Sequence, residues 1–116
     1  FSTLIRLVSG QTAAAIPDAQ RKILERLQAK QKPLIWVAFG NPYILPLAPD
    51  IGTYLCTFSY SDVSQIAAAK ALAGEIGITG KMPVSIPGLA KAGSGLVIPK
   101  LEMILKPTLP ESPVNE

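Results

Sequence analysis

Apolar and polar positions alternate along this chain in two rhythms, and their order predicts most of its elements. Leu4-Ile5-Arg6-Leu7-Val8 reads as a first strand, stopped by Ser9-Gly10. Residues 11–16 are a loop of small side chains. A helix then opens at Pro17, whose missing N–H costs nothing in a first turn, with Asp18 facing the positive end of the helix dipole. Ala19, Ile23, Leu24 and Leu27 recur at helical spacing, while Arg21, Lys22, Glu25, Arg26 and Gln28 turn outward. Lys30 and Lys32 suit the C-terminal end, and Pro33 forces the exit.

Residues 34–39 are apolar without a break, the pattern of a central parallel strand covered on both faces. Gly40-Asn41-Pro42 ends it, and residues 43–52, with Pro46, Pro49 and Gly52, predict a loop or a broken helical turn. Residues 53–58 predict a third strand. Ser59 or Ser61 then caps a second helix over residues 63–76, with Asp62 in its first turn. Ile66, Ala67, Ala69, Leu72, Ala73 and Ile76 supply its apolar body, its alanines allow close approach to the sheet, and Gly77 offers a left-handed stop. Residues 80–87 carry too many prolines for an interior strand, so they should lie extended at an edge or drape over the surface.

Strand, helix, strand, strand, helix implies a mainly parallel sheet with right-handed crossovers. The expected fold is therefore α/β, a three-layer sandwich of flavodoxin-like type with two main helices, apparently partial. Residues 1–105 form the domain, and residues 106–116, with Pro107, Pro110 and Pro113, form a linker or tail. A length of 116 residues suits one domain. Apolar side chains make up 48% of it and charged ones only 16%, so an apolar face should be covered by something else.

The net charge of +3 is mild, and five of its basic residues (Arg21, Lys22, Arg26, Lys30, Lys32) crowd the polar face of the first helix. No aromatics interleave them, so a solvated face is the expectation and nucleic-acid binding is not. The longest strong apolar run is about a third of the ~20 residues that a membrane span needs. Cys56 is the single cysteine, which excludes an internal disulfide and leaves the compartment open, cytoplasmic or extracytoplasmic. Its neighbours Tyr54, Leu55 and Phe58 suggest a buried strand position.

Chemistry is sparse. With no histidine, Cys56 and Ser94 have no base to activate them, and one cysteine builds no metal site. No dinucleotide or phosphate loop is present, so no cofactor is expected. Of the carboxylates, Asp18 and Asp62 sit where helix starts favour them, and Glu25 lies on a polar face. Asp50 follows the central strand, on the side where open α/β sheets bind ligands, and Glu75 is solvated or paired with Lys81. None gains a partner for acid–base work, so no catalytic, cofactor or metal residue is assigned.

Four segments in order carry a resemblance. Ile16-Pro17-Asp18-Ala19-Gln20, Phe39-Gly40-Asn41-Pro42-Tyr43, the stretch from Gln65 through Ala71 to Glu75, and Gly80-Lys81-Met82-Pro83-Val84-Ser85-Ile86-Pro87 lie within it. Together they resemble the later part of the C-terminal α/β domain of family 3 glycoside hydrolases, in its β-N-acetylhexosaminidase-like and β-glucosidase-like branches. The resemblance spans most of residues 4–96. It implies an accessory domain beside a catalytic (β/α)8 barrel, whose nucleophilic aspartate lies in that barrel and not here. Carbohydrate would then be met only through the parent enzyme, which acts on terminal β-linked N-acetylhexosamine or glucose. The family's second domain also begins with further strands that this chain lacks. Their absence would leave an open sheet edge and favour a homo-oligomer of the isolated chain.

Two other readings compete. A stand-alone carbohydrate- or protein-binding α/β module would display aromatics for stacking, yet the one indole, Trp36, falls in the central strand. A receiver or nucleotide module would need a glycine loop or an acidic cluster, and neither is present.

Overall fold

The computed structural model describes residues 1–6 and 16–102. Strand β1 (Ser2–Ile5), helix α1 (Asp18–Ala29), strand β2 (Ile35–Gly40), a short 3-10 helix (Pro42–Leu47), strand β3 (Thr53–Cys56) and helix α2 (Asp62–Ala73) follow in that order. The strands form one sheet, β1-β2-β3, parallel throughout. This is the α/β fold that the order of elements predicts, with β2 central. Leu7, Val8, the loop of residues 11–15 and the proline-rich stretch of residues 106–116 lie outside the described residues.

Alternation along β2 assigns the layers. Trp36 and Ala38 point to one face and pack with Ile16, Leu24 of α1, and Ile44 and Ala48 in and after the 3-10 helix. Val37 and Phe39 point to the other and meet Leu55 and Ala68 of α2. One helix therefore lies on each side of the sheet, in three layers. Trp36, fully buried, anchors the first layer: its indole N–H donates to the Thr3 hydroxyl at 3.1 Å. Tyr54 meets its ring edge-on at 5.4 Å and donates its own hydroxyl to the Pro42 carbonyl at 2.9 Å.

Several local details differ from expectation. Pro17 stands at the helix cap with extended backbone, and α1 begins at Asp18. The buried stripe of α1 centres on Leu24, with Gln20, Leu27 and Gln28 half-buried. Ala19 and Ile23 are exposed, because Ile23 stands one position round the helix from that stripe. Residues 42–47 resolve the loop-or-turn alternative as a 3-10 helix, opened by the Asn41 side chain accepting the Tyr43 N–H at 2.8 Å.

The second helix ends early. Gly74, not Gly77, adopts the left-handed conformation (φ 78°), and its N–H returns to Ala71 and Lys70. Leu101 fixes that choice from far along the chain: it lies so close that a Cβ on Gly74 would come within 2.6 Å of its side chain, and its N–H reaches the Gly74 carbonyl at 2.9 Å. At the other end Ser61, rather than Ser59, accepts the Ser64 N–H. Ser61→Ala should therefore cost about 1 kcal/mol in the free energy of urea unfolding, whereas Ser59→Ala should cost less.

Residues 78–98 fold back on themselves. Ile78 and Ile98 exchange backbone hydrogen bonds at 2.7 and 2.9 Å, and Met82 N–H reaches Ser94 at 2.7 Å. The proline-rich segment is thus one arm of an irregular hairpin, joined to no strand of the sheet, with Ile86 buried at its turn.

Candidate functional site

The carboxylates that the sequence offers, none of them assigned a role, scatter across the molecule. Asp18, Glu25, Asp50, Asp62 and Glu75 are all exposed, the first two on α1, Asp62 on α2, and Asp50 and Glu75 in separate connections. Asp18 pairs with Arg21 at 3.3 Å within one helical turn. Glu75 was expected to be solvated or paired with Lys81; it is exposed, and the Lys81 ammonium instead donates to the Gly95 carbonyl at 3.1 Å.

Asp50 does not lie on the ligand-binding side of the sheet expected for it. It lies three residues before Thr53, which opens β3 and pairs with Ile35 at the start of β2. The 3-10 helix carries the chain back along the sheet, so Asp50 stands at the N-terminal ends of the strands. Ligands of open α/β sheets gather at the opposite, C-terminal ends. A shallow hollow beside Asp50 is lined by Gln28, Lys32 and Leu34, and no second carboxylate borders it.

Cys56 is half-buried rather than fully enclosed. Burial raises its thiol to about 11, although a hydrogen bond with Tyr54 partly opposes the shift. Burial and the neighbouring Cys56 likewise push the Tyr54 phenol well above its ordinary value. A thiol held protonated at neutral pH is a poor nucleophile. Cys56 should therefore react with iodoacetamide at pH 7.5 more slowly than the same thiol in the urea-unfolded chain. Its proton is bound more tightly when folded, so its contribution to stability is complete below pH 9.0 and declines as pH rises towards about 11. Ser94 lies in an exposed turn, with its hydroxyl donating to the Lys91 carbonyl at 2.6 Å.

Among the described residues, no three His, Cys, Asp or Glu side chains gather as a metal site would require. No helix of the described residues is long and apolar enough to cross a membrane. The chemistry on view is that of surfaces. α2 is inverted: Ser64 and Gln65 are half-buried and Ala68 is buried, while Val63, Ile66 and Leu72 are 77%, 57% and 49% exposed. The alanine-rich body expected to lie against the sheet thus meets it chiefly through Ala68. Only Asp62 and Lys70 carry charge on this helix, in contrast to the heavily charged outer side of α1. No family model, curated protein or solved structure matches the chain.

Proposed function

We propose that the chain is a non-catalytic accessory domain of a glycosidase, one that packs beside a catalytic (β/α)8 barrel. The observation that carries the packing is α2, which turns its larger apolar side chains away from its own sheet. Val63, Ile66 and Leu72 stand where a monomer would place charge, and a surface of that kind is ordinarily covered.

The sheet supports the same reading. α1 and the 3-10 helix lie on one face as the strands advance from β1 to β3, and α2 lies on the other. Among the described residues β1 is an edge strand, with nothing paired on its far side. There the Val37 N–H donates to the Phe1 carbonyl at 2.9 Å, which leaves the Ser2 and Leu4 backbone facing outward. The glycosidase assignment rests on the ordered segments from Ile16 to Pro87, with the parent acting on terminal β-linked N-acetylhexosamine or glucose.

The 116-residue chain should release no nitrophenol from 4-nitrophenyl N-acetyl-β-glucosaminide or β-glucoside. Steady turnover that disappears in Asp50→Ala would overturn the proposal, since Asp50 would then be doing chemistry within this chain.

A further inference from the structure

The open edge of β3 has features that the accessory role leaves unused. Thr57 N–H bonds the Ala38 carbonyl at 3.1 Å, and alternation in a parallel ladder then turns Thr53 and Leu55 towards β2 as well. The N–H and C=O groups of Tyr54 and Cys56 therefore face away from the sheet. Among the described residues, neither group bonds the neighbouring hairpin.

A cavity of about 360 Å³ lies against this edge. All four residues of β3 line it, as happens where a cavity meets the edge of a strand rather than one face alone. Ala71 of α2 and Ile78 and Ile98 on the two hairpin arms supply apolar walls. Lys81 is the one charged side chain on the lining, and no carboxylate is there to neutralise it. Its ammonium donates to Gly95 and keeps two further N–H groups to offer.

We infer that this groove docks the C-terminal end of an extended apolar peptide. The backbone groups of Tyr54 and Cys56 match the main chain of an added strand, the walls match apolar side chains, and Lys81 matches the terminal carboxylate. A small apolar molecule would leave the strand edge unpaired, and an internal peptide segment would bring no anion. A second copy of this chain, pairing through the same edge, would bring another lysine and the same carboxylate-free lining, so nothing there would answer Lys81.

The test titrates the full 116-residue chain with a fluorescein-labelled hexapeptide of alternating valine and threonine, made once with a free C-terminal carboxylate and once as the amide. The acid should bind about tenfold more tightly than the amide, and amide exchange at Tyr54 and Cys56 should slow on binding while Ser2 and Leu4 are unchanged. Lys81→Met should remove the acid's advantage without weakening the amide, and Lys81→Arg should restore it. Equal affinity of acid and amide, protection at Ser2 and Leu4 instead, or no binding at millimolar peptide would each overturn the inference. So would concentration-dependent self-association that protects Tyr54 and Cys56 without peptide, because a second copy would then be the occupant.

Discussion

Trp36→Ala should destabilise the chain by about 3–5 kcal/mol, the range for removing a large buried aromatic. The residue is fully enclosed, lies on the central strand, and joins β1 to β3 through Thr3 and the edge-on ring of Tyr54. Its removal would open a cavity and also leave the buried Thr3 hydroxyl without the indole N–H. Trp36→Phe should cost less, since it keeps an aromatic ring and forfeits chiefly volume and one hydrogen bond. Urea unfolding monitored by circular dichroism serves both variants. Native Trp36 emission should be blue-shifted and move to the red on unfolding. A native spectrum typical of water would contradict the buried placement.

Gly40→Ala should cost at least about 2 kcal/mol, because two penalties coincide. Gly40 has φ 94°, which disfavours any side chain, and a Cβ there would stand 2.5 Å from the Ile5 carbonyl oxygen. That oxygen belongs to the backbone of β1, so it cannot move aside without disturbing the sheet. Gly52→Ala is the control: nothing lies within 4 Å of its Cβ position, and the change should stay within about 0.5 kcal/mol. Equal unfolding midpoints for the two variants would mean that β2 does not end in the left-handed turn described.

What the sequence made legible follows from how local each determinant is. The unbroken apolar run of residues 34–39 announced a strand buried on both faces, and β2 is that strand. Pro17-Asp18 and Ser61-Asp62 marked the helix starts closely, because caps are written in adjacent residues. The end of α2 was less legible: Gly74 and Gly77 both permit a left-handed stop, and Leu101, 27 positions beyond Gly74, decides between them. Asp50 lies at the N-terminal ends of the strands because any connection between two parallel strands must return there before the second begins, which a parallel strand opening at Thr53 already implies. The outward turn of α2 could not be read from a helix whose alanines leave no single apolar stripe and whose Ser64 and Gln65 lie on the inward side.

The groove at β3 is hidden in the sequence for a related reason. Ile78 and Ile98 meet across twenty positions of sequence, and the prolines between them hide the pairing. The signal in the sequence is Ile78 and Met82 two positions either side of Gly80 on one arm, and the apolar run Leu96-Val97-Ile98 after Gly95 on the other.

If the chain is one part of a larger glycosidase, the reading frame upstream of the Phe1 codon should encode the rest of it. That frame should continue without a stop through the strands that complete the sheet beside β1 and into a (β/α)8 barrel, and the longer protein should hydrolyse an aryl β-N-acetylglucosaminide or β-glucoside. An upstream stop codon, or a frame encoding a domain with no eightfold strand–helix alternation, would contradict it.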